Sequence, residues 1–133
     1  MNATRTLIAV LALSGGLMAQ TPRLCLYEEF TGENCPPCAA TNPGLNTLLA
    51  SPTNSPKVVA IKWQVPIPSA PSATWSLYQT NKADINWRYS AYGYGINSAP
   101  SGRMDGRNVT VFGAASDHPA NLNNTVISTA QSH

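Results

Sequence analysis

The chain has 133 residues, enough for one domain at most. Eight basic against six acidic side chains leave a formal charge of +2, too weak a bias for nucleic acid or an anionic membrane surface to be the main partner. Eleven prolines, nine glycines and polar positions rich in Asn, Ser and Thr fit an exported protein better than a cytosolic one.

Residues 1–20, MNATRTLIAVLALSGGLMAQ, read as an export signal. Arg5 gives a positive start, LIAVLAL and GGLM a short apolar stretch, and Ala19 a small residue at the cleavage point. The stretch is short for a membrane span of about 20 residues. The mature domain is therefore expected over 21–133, exported to the periplasm, cell envelope or medium, with no stable membrane insertion. Disulfides form and persist in such places. The chain stops soon after its last predicted helix, as the N-terminal part of a longer protein would.

LCLYEEF (24–30) predicts a strand, apolar and aromatic until two adjacent acids. Leu45, Leu48 and Leu49 lie on one face of a helix, and KVVAIKW (57–63) is a second strand. That order suggests a parallel βαβ unit. TNPGL (41–45) reads locally as a turn. QVPIPSAPSA (64–73) is a proline-rich loop. Residues 74–92 carry Trp75, Leu77, Tyr78, Ile85, Trp87, Tyr89 and Tyr92 and predict one or two helices. Asp105-Gly106 marks a hairpin. NVTVF after it alternates like a strand, whereas SGRM before it is a poor strand by propensity. HPANLNNTVISTAQ (118–131) predicts a last helix, with Pro119 in its first turn and Leu122, Val126 and Ala130 on one face. His118 precedes it as a surface residue.

The chemistry centres on ENCPPCAA, where Cys35 and Cys38 stand three apart. Zinc would need about four ligands, and only the scattered Cys25, His118 and His133 remain. A structural disulfide over so small a loop would constrain the unfolded chain little. A dithiol redox pair is the third reading, strengthened by a motif between a strand and a helix. Cys35 would then start a helix, where orphan N–H groups and the helix dipole favour a thiolate. Cys25, within the first strand, reads as a small buried hydrophobe, with a regulatory thiol as the alternative.

These residues resemble the thioredoxin-like superfamily over nearly all of 24–131. Cys35 and Cys38 match its nucleophilic and resolving cysteines, and Pro37 the proline before the second. Glu29 falls at the buried acid beneath the site, and Pro43 at the proline that kinks the active-site helix. YGINSAP (94–100) is similar to the approach to the family's cis-proline, which would be Pro100, and Gly113 matches a glycine after the last strand. Asn34 stands where the family usually has tryptophan, Glu29 where it usually has aspartate, and 64–93 is longer than the simple fold needs. The long EEFTG…CPPC form looks most like exported thiol–disulfide oxidoreductases of the bacterial envelope.

The resemblance implies an α/β, thioredoxin-like three-layer sandwich: a central mixed sheet flanked by helices, with an extended segment before the cis-proline. It resolves TNPGL as a kink between helical segments 36–42 and 44–50, with Pro43 removing one hydrogen bond. It implies that Cys35 and Cys38 exchange disulfides with protein or peptide thiols, with Glu29 moving the proton of Cys38. Ala99 and Pro100, with Pro36 and Pro37, would meet the substrate chain. A redox donor or acceptor protein would complete the cycle. No separable cofactor and no metal are expected. The rival expectation is a non-enzymatic binding module with a static disulfide.

Overall fold

The computed structural model describes residues 22–71 and 76–133; the export-signal reading and Trp75 lie outside them. Strand β1 (Cys25–Thr31) is central, and all its residues but Leu26 are buried. It lies in a four-stranded sheet of order β2-β1-β3-β4, with β2 Val58–Gln64, β3 Ser101–Met104 and β4 Arg107–Asn108. β1 and β2 run parallel, from Cys25 opposite Val58 to Thr31 opposite Gln64. β1 and β3 run antiparallel, with Phe30 opposite Ser101 and Tyr27 opposite Met104. Parallel neighbours need a crossover, and helix α1 (Pro36–Ala50) provides it.

α1 is one helix, so neither a turn nor a break divides 36–42 from 44–50. Pro43 has no N–H to give the carbonyl four residues back, but its fixed φ suits a helix. Leu45 is buried, with Leu48 and Leu49 packed beside the core. Asn54, completely buried, donates to the Leu48 carbonyl at the helix end (2.9 Å) and to Asn124 Oδ1 (2.8 Å).

The aromatic segment forms two short helices, α2 (Leu77–Thr80) and α3 (Lys82–Tyr89). Ser76 caps the first by accepting from Gln79 N at 3.0 Å. Tyr78 and Ile85 are buried, whereas Leu77, Trp87 and Tyr92 are exposed.

The hairpin reverses the expectation from propensity. SGRM is the strand, β3, and Val109–Phe112 is a 3-10 turn. Gly102 passes beneath the Tyr27 ring, where any Cβ would collide. Arg103 is buried on Asp117 (3.0 Å), so these unpromising strand residues are held by tertiary partners. Val109 and Phe112, three apart, are both buried, a spacing that the 3-10 turn supplies and a strand does not. Gly113 therefore closes a 3-10 turn with φ +93° rather than following a strand. The Asp105-Gly106 turn has positive φ at both residues, the I′ geometry that matches strand twist.

The final segment is divided. Pro119–Asn121 is a 3-10 turn, and helix α4 spans Asn124–Gln131. Asn123 makes the division, its Oδ1 accepting from Thr125 N (3.0 Å) and Val126 N (3.1 Å) as an N-cap. Leu122, Val126 and Ala130 are still all buried. Two apolar clusters result: one joins Cys25, Tyr27 and Met104 to Leu45, Phe112 and Ile127, and the other joins Phe30 to Val65, Tyr78, Ile85 and Ile96.

Candidate functional site

Cys35 is the N-cap of α1, with extended backbone. The first turn of a helix leaves N–H groups without intrahelical partners. Pro36 and Pro37 have none to leave. The first free one, of Cys38, points at Cys35 Sγ (3.3 Å), and that of Ala39 reaches the Cys35 carbonyl (3.0 Å). The two prolines thus concentrate the helix start on one sulfur. Cys35 and Cys38 are joined as a disulfide. Both are buried, Cys35 at 4% exposure and Cys38 at 1%. A shallow surface depression lined by Glu33, Asn34, Cys35, Pro36 and Ala39 reaches Cys35.

On the opposite side, the Ala99 carbonyl oxygen lies 3.7 Å from Cys35 Sγ. The Ala99–Pro100 peptide is cis, Pro100 is buried, and β3 begins at the next residue. Sequence reasoning missed a second wall. Gly32 packs so closely on the Ile67 carbonyl that a Cβ would overlap it. Glu33 accepts from Leu77 N (2.8 Å), and Asn34 Nδ2 donates to the Ala70 carbonyl (3.4 Å). The proline-rich loop and the start of α2 are therefore held against the three residues that precede Cys35.

Glu28 and Glu29 are both buried, on opposite faces of β1, because strand side chains alternate. Glu29 shares the side of Tyr27 and Thr31, which α1 covers. Lys62 Nζ lies 2.7 Å from Glu29 Oε2, in an ion pair whose angles fall outside those of a hydrogen bond. Lys62 also donates to Asn42 Oδ1 (3.3 Å), and Asn42 to Thr31 Oγ1 (3.2 Å). This chain of contacts links both parallel strands to α1. The Tyr27 hydroxyl has no hydrogen-bond partner among the described residues; burial, then the charges of Glu29 and Asp117, push its pKa up.

Glu28 faces the other way and is fully satisfied. Arg88 donates Nε to Oε1 (2.8 Å) and Nη2 to Oε2 (2.7 Å). Trp63 Nε1 donates to Oε1 (3.0 Å), and the Tyr94 hydroxyl to Oε2. Burial alone would raise the Glu28 pKa, but the bonds from Arg88, Tyr94 and Trp63 outweigh it and hold the carboxyl low. Tyr94 is pushed up to about 12 by its own burial and by its bond to Glu28. The only sequence signal for this network was a lone arginine in a helix of aromatic residues.

Among the described residues, no group of three or more His, Cys, Asp and Glu side chains could hold a metal ion, and no helix is long and apolar enough to cross a membrane. Cys25 is a buried free thiol. Compared with models of known protein families, with curated proteins and with solved structures, the chain matches none. What defines the molecule is thus its own architecture: a small α/β protein with a mixed sheet and a C-x-x-C disulfide at a helix start, compatible with a thioredoxin-like fold.

Proposed function

We propose that the protein is an exported thiol–disulfide oxidoreductase built as a thioredoxin-like three-layer sandwich. The observation that carries this reading is the convergence on Cys35 Sγ of the Cys38 N–H at the start of α1 and, from the other side, the Ala99 backbone. A thiolate there gains a charge-assisted hydrogen bond and the positive end of the helix dipole.

In the reducing direction, the Cys35 thiolate attacks one sulfur of a substrate disulfide. A mixed disulfide forms, and the other substrate sulfur leaves as a thiolate that takes up a proton. Cys38 gives its proton to Glu29 and attacks Cys35 Sγ. The 35–38 disulfide closes, and the second substrate thiolate leaves. Two electrons pass to the substrate, and a partner dithiol of the envelope returns them. In reverse, the same steps oxidise a substrate dithiol. Glu29 suits proton transfer because it is buried and touched by Lys62, whose side chain reaches solvent. The substrate chain lies along Ala99, beside Pro100, Pro36 and Pro37, and borrows free backbone groups.

A second reading, a binding module with a static disulfide, is favoured by the near-complete burial of both cysteines and by Asn34 beside them. Cys38→Ser separates the two. An oxidoreductase so altered attacks but cannot release, so disulfide-linked adducts with exported partners accumulate and dissolve in reductant. Cys35→Ser traps almost none. A static disulfide yields no adducts from either variant, and no reduction of insulin by dithiothreitol above background.

A further inference from the structure

Strand β2 stands at the edge of the sheet, and among the described residues nothing pairs with its outer side. Natural edge strands are blunted by shortness, proline, bulges or charged side chains, inward-pointing ones included. β2 is seven residues long, holds no proline, and pairs with β1 without a bulge. Its one charge, Lys62, points inward but is paired with Glu29, which removes the unpaired charge that would keep another strand off. Val59 and Ile61 are 49% and 41% exposed on the face they share with Trp63. Trp87, 58% exposed, lies beside Trp63 at the end of that face.

The hydrogen-bonding parity of β2 can be read from its two ends. Cys25 N donates to the Lys57 carbonyl (2.8 Å), and Val65 N donates to the Thr31 carbonyl (2.7 Å). Odd-numbered residues therefore turn their backbone groups toward β1, and Val58, Ala60, Lys62 and Gln64 turn theirs outward. An antiparallel partner must oppose even residues to even ones. Centring a second copy of β2 on Ile61 meets this condition and overlaps all seven residues. It sets Ala60 against Lys62 as hydrogen-bonded pairs and lets the Val58 carbonyl accept from Gln64, the Val58 amide being given to the Asn54 carbonyl (3.1 Å). Ile61 then meets Ile61, and Val59 meets Trp63, as the closer non-hydrogen-bonded pairs. Those are aromatic and β-branched partners, the kind that stabilise sheets, and no like charges stand opposite. Shifting the centre to Lys62 would set two lysines against each other, and shifting it to Ala60 shortens the overlap.

We propose that two copies of this chain associate through β2, antiparallel about a twofold axis at Ile61, to form one continuous eight-stranded sheet. The self-complementary register selects a second copy over an unrelated strand. The dimer leaves the Cys35–Cys38 disulfide, at the helix start beyond the far end of β1, outside the seam, and it holds whether or not the disulfide turns over.

The test is sedimentation of the full chain with register-specific cross-linking. The wild type should sediment as a dimer at micromolar concentration. Ile61→Lys sets like charges at the axis and should weaken association by about tenfold or more while leaving the monomer folded. Ile61→Cys should form an intermolecular disulfide under mild oxidation, since directly opposed Cβ atoms lie about 5 Å apart. Val59→Cys should not, because its copy sits four residues away along the seam. A wild type that stays monomeric overturns the proposal. So does a monomer whose Ala60 and Lys62 amides exchange slowly, because the edge is then covered within one chain. Equal cross-linking of both cysteine variants also overturns it, since the register would be wrong.

Discussion

Two neighbouring glutamates show how much one residue's direction decides. Glu28 and Glu29 are chemically near-identical, yet strand alternation gives one a four-group hydrogen-bond network and the other a single lysine. Arg88→Met should leave the Glu28 carboxylate buried without its main partner, destabilising the fold by about 3 kcal/mol at neutral pH. The pH dependence has a definite sign. The folded Glu28 pKa is depressed, so its stabilisation is fully present above the unfolded value of about 4.3 and is lost as pH falls through the folded value. Urea unfolding at pH 7 and pH 3 should show a large drop for the wild type and a smaller one for Arg88→Met. Tyr94 acts at the other end: its raised pKa means stability is lost between about pH 10 and 12. The burial of Glu29 was expected only through the resemblance. The Glu28 network was not legible, because its partners come from β2, α3 and the 90s loop, and only the folded chain brings them together.

Elements were legible where local pattern and tertiary demand agreed. β1 and β2 came from apolar and β-branched runs and lie within a residue of their expected places, while leucine spacing marked a helix in α1 whose extent came only from the resemblance. SGRM was placed by the hairpin turn after it and not by propensity, because its own reasons for being a strand are distant ones: a tyrosine ring that only glycine admits and an aspartate for Arg103. Gly102→Ala should therefore destabilise by about 1–3 kcal/mol, as inserting atoms into a filled core does. Tyr27→Phe on top should recover part of the loss if the ring tip is the obstacle; thermal unfolding of the single and double variants checks this. The last helix failed by a missed cap. Asn123→Ala removes acceptors for two N–H groups and should cost about 1 kcal/mol, seen as a lower urea midpoint with an unchanged slope.

At the scale of the whole molecule, the strand–helix–strand order made the parallel β1–β2 pair readable, and the resemblance supplied the α/β class and the mixed sheet. The strand at the sheet edge was not readable, because strand order is set by pairings distant in the sequence. The molecule offers separate ends and sides to separate tasks: the helix start carries the disulfide and the strand edge carries the free backbone. Cysteine chemistry should accordingly survive Ile61→Lys. If insulin reduction falls in proportion to dimer loss, the two regions are coupled.

The fastening of the loop to Gly32, Glu33 and Asn34 has a practical consequence. Ile67, Ala70 and Leu77 are all moored to the short segment that leads into Cys35. Lengthening that segment would slip every mooring at once. A flexible graft of six Gly/Ser residues after Gly32 should therefore lower the urea midpoint and alter thiol reactivity at Cys35 together, so these three residues act as the hinge pin on which one wall of the cysteine site hangs.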